Sequence, residues 1–197
     1  MNSSVVIATS NPGKFAEFRK SLTAIYETIL SPTEAGVFSL PEETGSSYIE
    51  NALLKSKYVA HQTNLPAIAD DSGLEVNALA GKPGIFSARF GGILSDSERI
   101  NYLLKELDAV PGGKRDAQFV CTIAFFLPSG QSKTFTGQVA GEILPSPRGK
   151  SGFGYDPIFF CPELGKTFAE ATKDEKQLVS HRGKALKSLI TWFRELT

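Results

Sequence analysis

Val5-Val6-Ile7-Ala8-Thr9-Ser10-Asn11-Pro12-Gly13-Lys14 is the stretch that decides the fold. Val5 to Ala8 form a short unbroken apolar run, which suits a strand covered on both faces, as parallel strands usually are. Asn11 is a good helix N-cap. Pro12 fits the first helical position, where its missing N–H would have no intrahelical partner. Phe15, Phe18 and Leu22 then recur at helical spacing. The reading is strand, loop, helix, the opening of an α/β chain.

Working outward, a second helix is predicted over 46–61, with Ile49, Ala52, Leu53, Ser56 and Ala60 on its inner face. Ala67-Ile68-Ala69 is the next buried strand. Ser95-Asp96-Ser97-Glu98 reads as a capping box ahead of Ile100, Leu103, Leu104 and Leu107. Segments 119–127 and 134–144 flank the turn Pro128-Ser129-Gly130, a hairpin signal. Pro157-Ile158-Phe159-Phe160 gives a further strand, and one closing helix is predicted over 175–193. Early helices interleaved with strands, followed by a long hairpin, predict an α/β fold: a mixed β-sheet flanked by helices, in two lobes with a cleft.

Composition bounds the rest. The 197 residues are 41% hydrophobic, enough for a substantial core, and fit one domain or one bilobed domain. Lysines plus arginines equal aspartates plus glutamates, so the formal net charge is zero. No global field collects nucleic acid, and an anion site must be built locally, which favours a small phosphorylated ligand over a polymer. No apolar run reaches membrane-spanning length, and Met1-Asn2-Ser3-Ser4 lacks the start of a signal peptide. Cys121 and Cys161 lie in apolar strand-like segments, as buried reduced thiols of a cytoplasmic protein would; a disulfide is the lesser alternative.

Four groups of residues carry chemistry. The first is Ser10-Asn11-Pro12-Gly13-Lys14, a helix start whose unpaired N–H groups and partial positive charge attract anions. Lys14 opposes the helix dipole, and a phosphate ligand explains it; a capped helix with a solvated lysine is the plain alternative. The spacing is not that of a Walker A loop. The second group is Asp70-Asp71-Ser72-Gly73, read as the end of a buried strand, where open α/β sheets bind ligands. Two adjacent carboxylates there retain a proton or attract a hard cation such as Mg²⁺, and one carboxylate can serve as base to a water. The alternative is a turn whose aspartates cap backbone groups. Glu42 and Glu43, in a loop by composition, are candidates to complete a metal site. Asn51 and Lys55 are one turn apart beside the apolar stripe of the second helix, where a lysine ordinarily faces solvent.

The third group lies on the predicted closing helix. Leu178, Ala185, Leu189 and Phe193 define its inner stripe, and His181 and Arg182 fall on the same stripe. A buried arginine demands a partner, either a buried acid or a ligand's carbonyl or phosphate. Lys176, just upstream, is a candidate phosphate ligand. The fourth group is Arg148-Gly149-Lys150-Ser151-Gly152-Phe153-Gly154-Tyr155-Asp156, where glycines permit close backbone approach and an aromatic ring offers a stacking surface. A loop that tucks Phe153 into the core is the alternative. Gly81-Lys82-Pro83-Gly84 and Ser87-Ala88-Arg89-Phe90 read as a second rigid turn.

Taken together and in this order, Thr9-Ser10-Asn11-Pro12-Gly13-Lys14, Glu42-Glu43-Thr44-Gly45, Glu50-Asn51-Ala52-Leu53-Leu54-Lys55, Ala69-Asp70-Asp71-Ser72-Gly73-Leu74, Pro83-Gly84-Ile85-Phe86-Ser87-Ala88-Arg89, Gly152-Phe153-Gly154-Tyr155-Asp156-Pro157 and Ser180-His181-Arg182-Gly183 resemble the inosine/xanthosine triphosphate pyrophosphatase family over nearly the whole chain. The resemblance implies an elongated mixed sheet with helices, a single bilobed domain over 1–197 with a central nucleotide-binding cleft, and a cytoplasmic homodimer. It implies Mg²⁺-dependent hydrolysis of ITP, dITP and XTP to the monophosphate and pyrophosphate, clearing deaminated purines from the nucleotide pool. Asp71 matches the general base, with Asp70 and Lys55 beside it in the catalytic group. Glu42 or Glu43, with Asp71, matches the metal site. Thr9, Ser10, Asn11 and Lys14, with Lys55 and Lys176, would hold the phosphates. Ser72, Phe153, Gly154, Tyr155, Asp156, His181 and Arg182 would surround sugar and base, and Pro12, Gly13, Asn51 and Arg89 complete the substrate-binding set.

Many relatives carry glycine where this chain has Ser10, which adds a hydroxyl and a β-carbon to a tight loop. Hypoxanthine and xanthine present a carbonyl at position six where adenine presents an amine. Donors on His181 and Arg182 would reward the first and oppose the second, and a site built on buried hydrogen bonds rejects a mismatch by roughly 10⁴-fold. Three rival readings follow from the same residues. They are a Maf-like pyrophosphatase of modified pyrimidine nucleotides, a nucleotide sensor that does not cleave, and a nucleic-acid-binding module. The downstream His-Arg and Phe-Gly-Tyr-Asp set disfavours the first, the clustered acids the second, and the zero net charge the third.

Overall fold

A computed structural model describes residues 4–92 and 94–196. It is an α/β fold with one mixed seven-stranded sheet in the order β2-β1-β3-β4-β5-β6-β7. The strands are β1 (Ser4–Ile7), β2 (Thr28–Leu30), β3 (Ala67–Val76), β4 (Asp116–Phe126), β5 (Ser132–Ile143), β6 (Phe159–Cys161) and β7 (Lys166–Thr167). The helices are α1 (Pro12–Leu22), α2 (Tyr48–Thr63), α3 (Asp96–Glu106), α4 (Lys173–Val179) and α5 (His181–Glu195). β1 is parallel to β2 and to β3, while β6 is antiparallel to β5 and to β7. The expectation of a mixed sheet flanked by helices is met.

The helix starts follow their sequence signals. Asn11 accepts from the Lys14 amide at 3.0 Å, and Pro12 occupies the first turn of α1. Ser95 and Glu98 form the reciprocal capping box of α3. Two compact units can be described. The first comprises Met1–Asp71, Cys121–Thr136 and Ala185–Thr197. Its cores include Val5, Ile7, Phe18, Ile68, Ile123 and Leu189 on one side of the sheet and Val6, Ala8, Val59, Ala67 and Ala69 on the other. The second comprises Ser72–Val120 and Gly137–Lys184, with a core of Leu74, Leu103, Phe119, Ile143, Tyr155, Phe159 and Phe168. Cys121 and Cys161 are buried, one in each core, and neither forms a disulfide. Among the described residues no helix is long and apolar enough to cross a membrane.

Three elements differ from expectation. The strand beginning at Ala67 does not end at the aspartates but runs through them to Val76. Consecutive strand side chains point to opposite faces, so Asp70 and Asp71 leave the sheet on opposite sides. Ile68 belongs to the core of α1 and α5, Ala67 and Ala69 to that of α2, and the aspartates continue this alternation. Next, the inner face of α2 matches the predicted stripe at Ala52, Ser56 and Ala60 but is wider than predicted and omits Ile49. Asn51 and Lys55 are buried with Ala52, Ser56, Val59 and Ala60, while Ile49 is exposed. Finally, the predicted closing helix is two helices. The chain is extended at Ser180, and Leu178, assigned to the inner stripe, is 80% exposed.

Candidate active site

On the α2 face of β3, Asp71 is buried and its Oδ2 accepts from Asn51 Nδ2 at 2.9 Å. Asn51 Oδ1 in turn accepts from the Gly45 amide at 2.8 Å. The buried amide is therefore satisfied at both ends and ties the loop before α2 to the carboxylate. Lys55, one turn further along α2, donates to Glu43 of the same loop. Burial pushes the Asp71 carboxyl above the ordinary carboxylate range. The Lys55 charge and the Asn51 hydrogen bond pull it back, and the Glu43 charge adds to the rise. The result is a desolvated carboxylate in the joint field of two lysines, Lys55 and more weakly Lys14, and a second acid. Of the two glutamates, Glu43 faces this group and Glu42 is exposed.

On the opposite face, Asp70 Oδ2 lies 3.0 Å from Lys14 Nζ and accepts from Cys121 Sγ at 3.7 Å. Lys14 thus has an acid partner within the fold, which accounts for a cation in a helix first turn without appeal to a ligand. Thr9 Oγ1 accepts from the Asn11 amide at 3.2 Å, shaping the turn into α1. Pro12 and Ser10 are exposed, and Gly13 is half-buried. The non-glycine residues with left-handed backbone among those described are Asn64 and Ala80, so the β-carbon of Ser10 meets no such strain.

The second unit holds the remaining predicted residues, with Arg182 at their centre. Arg182 is 1% exposed; its Nη2 donates to Ser72 Oγ at 2.9 Å and its guanidinium lies 5.8 Å from the Phe153 ring centroid. Ser72 follows Asp71 on β3, so the strand hands one residue to each described group. His181 stacks on Phe119 at 4.7 Å with 11° between planes. Lys176, assigned by sequence to the phosphates, is buried against Asp156 at 2.6 Å and sits 4.6 Å over Phe153. Its partners are those of the aromatic loop. Asp156 Oδ2 also accepts from the Phe153 amide at 3.0 Å. A β-carbon on Gly152 would fall on that carboxylate, which is why glycine stands there.

The break at Ser180 positions His181 and Arg182. Ser180 Oγ accepts from the Gly183 amide at 3.1 Å, so one residue ends α4 and caps α5. A β-carbon on Gly183 would penetrate the Gln177 carbonyl oxygen, so only glycine lets the two helices meet this closely.

Tyr155 is committed to structure. Its buried hydroxyl donates to the Ser87 carbonyl at 3.0 Å. Ser87 Oγ in turn accepts from the Leu74 amide at 2.8 Å. Arg89 is exposed with its guanidinium over the Phe86 ring, 5.0 Å from the centroid, a surface contact in contrast to the burial of Arg182. Sequence reasoning placed Ser87 in a turn and Asp96 in a helix cap but missed the long-range contacts of both. Asp96 lay inside a recognised capping box, but its contact to Gly154 spans 58 residues and leaves no local signal.

Residues 5–192 match the model of the Ham1 family. A dITP/XTP pyrophosphatase of Thermus thermophilus is 48% identical over 191 residues, covering 97% of this chain and 92% of that protein. One from a Synechocystis species is 52% identical over 188 residues, covering 94% and 93%. Among solved structures, a HAM1 protein from Coxiella burnetii superposes with a TM-score of 0.89 at 43% identity, covering 99% of this chain and 100% of that one.

Proposed function

The chain belongs to the Ham1 family, and on that footing we propose that it hydrolyses non-standard purine nucleoside triphosphates (ITP, dITP and XTP) to the monophosphate and pyrophosphate, with Asp71 as general base. The observation that carries the reading is the state of Asp71. It is a buried carboxylate whose proton affinity is raised by desolvation and held in check by Lys55 and Asn51. Such a group accepts a proton from water more readily than an ordinary surface aspartate.

In the proposed reaction Asp71 takes a proton as the water oxygen bonds to the α-phosphorus. The bond from that phosphorus to the bridging oxygen breaks, and pyrophosphate leaves with the electron pair. Lys55 and Lys14 offset charge on the phosphates, Lys14 by exchanging its hold on Asp70. Asn51 keeps Asp71 aimed. In the second unit, Arg182 and His181 supply donors for the position-six carbonyl, and Phe153 supplies a ring face for the base.

Mg²⁺ belongs to the same proposal. Glu43 and Asp71 are hard oxygen donors close enough for one charge to raise the proton affinity of the other. Among the described residues no three acids, histidines or cysteines converge into a ready-made cage. Two carboxylates suit Mg²⁺, which commonly takes its other ligands from water and substrate phosphates. When bound, the ion would offset phosphate charge, and Glu43 with Asp71 would hold it. Cytoplasmic location and a homodimer complete the reading.

The test is pyrophosphate release from ITP, XTP, GTP, ATP and dTTP, with and without Mg²⁺, by wild type and Asp71→Asn. Mg²⁺-dependent conversion of ITP and XTP, with little ATP or GTP turnover, is expected. Asp71→Asn should retain nucleotide binding while kcat falls by roughly 10²–10⁴-fold. Pyrimidine preference would point to the Maf-like reading, saturable binding without turnover to a sensor, and intact turnover in Asp71→Asn would remove the assigned base.

A further inference from the structure

The geometry points to Asp96, the first residue of α3, as a positioning residue for purine discrimination that acts by pinning the aromatic loop. The inference rests on the proposed nucleotide reading, but its structural half can be tested without any substrate.

Asp96 Oδ2 accepts from the Gly154 amide at 2.7 Å, and Asp96 Oδ1 accepts from Arg99 Nη1 at 2.7 Å. Arg99 Nη2 donates to the Leu94 carbonyl at 2.7 Å, so the carboxylate is held from behind by a side chain anchored on the helix's own approach. Gly154 follows Phe153, whose amide is taken by Asp156. Two successive loop amides are therefore fixed by two carboxylates, Asp156 from within the loop and Asp96 from 58 residues away. Between them stands the Phe153 ring, which faces Lys176 and Arg182. Asp156 is buried under Lys176, whereas the Asp96 side chain is about half exposed. Asp96 is thus the outer of the two clamps.

An aspartate at a helix start has an ordinary explanation, since it complements the helix dipole and pairs with a residue one turn on. Neither role requires an oxygen on the amide of a loop 58 residues away. A charge-assisted bond to a backbone N–H is among the stronger hydrogen bonds and fixes the loop's height over α3. Releasing Gly154 would let Phe153 drift from Arg182, weakening the ring face and loosening the donors that distinguish a carbonyl from an amine.

Three forms of the full chain decide this: wild type, Asp96→Ala and Asp96→Asn, the last keeping an acceptor oxygen for Gly154. Hydrogen–deuterium exchange of the free protein should show faster exchange at the Phe153–Tyr155 amides in Asp96→Ala and near-wild-type protection in Asp96→Asn. With ITP and ATP, Asp96→Ala should raise KM for ITP by about tenfold, as losing one charge-assisted bond implies, with kcat within about twofold. Its ITP-over-ATP ratio should narrow, and Asp96→Asn should recover most of both. Unchanged exchange in Asp96→Ala, or identical behaviour of the two variants, would overturn the inference. So would a loss confined to kcat. If wild type itself turns over no purine triphosphate, the nucleotide reading fails while the exchange result still decides whether Asp96 pins the loop.

Discussion

Lys55 shows what a single residue can hide. Read along α2 it is a lysine beside an apolar stripe, which normally faces water, yet it is buried because Glu43 and Asp71 face it from a loop and a strand. Nothing within one helical turn encodes that. Asp71 and Arg182 were legible, because carboxylates in a buried strand and an arginine on an apolar stripe both demand partners. Their partners were legible only through resemblance, and the hold of Asp96 on the Gly154 amide not at all. The Asp71 environment has a consequence for stability. Burial raises its folded-state proton affinity above that of the unfolded chain. Stability from the protonated form is therefore fully present below the unfolded value and is lost as pH rises through the folded one. In metal-free protein, Asp71→Asn should melt above wild type near neutral pH, with a margin that shrinks as pH falls towards the ordinary aspartate range. A margin that widens on acidification would contradict the stated environment. The expected result, a more stable Asp71→Asn, would mark the site as one where function is held at the expense of stability.

At the level of elements, caps were the most readable feature and continuity the least. Asn11, Ser95 and Glu98 act as their spacing predicts, because capping is a local exchange between a side chain and amides two or three residues on. The length of β3 was misread because Asp-Asp-Ser-Gly looks like a turn; pairing and burial carry the strand through it. The break at Ser180 was invisible because Leu178, Ala185 and Leu189 keep helical spacing across it, although Leu178 faces solvent. What permits the break is Gly183, pressed against the Gln177 carbonyl. Gly183→Ala should destabilise the protein by about 1–3 kcal/mol, the usual range for forcing an atom into packed structure. That corresponds to a fall in Tm of about 2–4 °C per kcal/mol for a chain of this size. An unchanged melting curve would show that the two helices can separate without loss.

For the molecule as a whole, the α/β class and mixed sheet followed from the order of apolar runs, while the division into units did not. The chain passes from one unit to the other at 71/72, 120/121, 136/137 and 184/185, and each passage falls inside a strand or a helix. None lies in a linker of the kind that composition reveals. Unfolding one unit must therefore fray elements that continue into the other. The single tryptophan, Trp192, packs against Phe125, Phe135 and Phe193 of the first unit. Its fluorescence should lose native signal at the same denaturant midpoint as the far-ultraviolet circular dichroism of the whole chain. Separated midpoints would show units that melt independently. The run Asp70-Asp71-Ser72 behaves like text with a reading frame of two: one letter is read on one side of the sheet and the next on the other. Inserting or deleting one residue upstream within β3 would exchange the sides, turning Asp71 towards Lys14 and Asp70 towards Asn51 and Lys55 while composition stayed almost the same. Point substitutions here are graded, but a frameshift of this kind is all or nothing, so the spacing from Ala67 to Ser72 should tolerate changes of letter far better than changes of length.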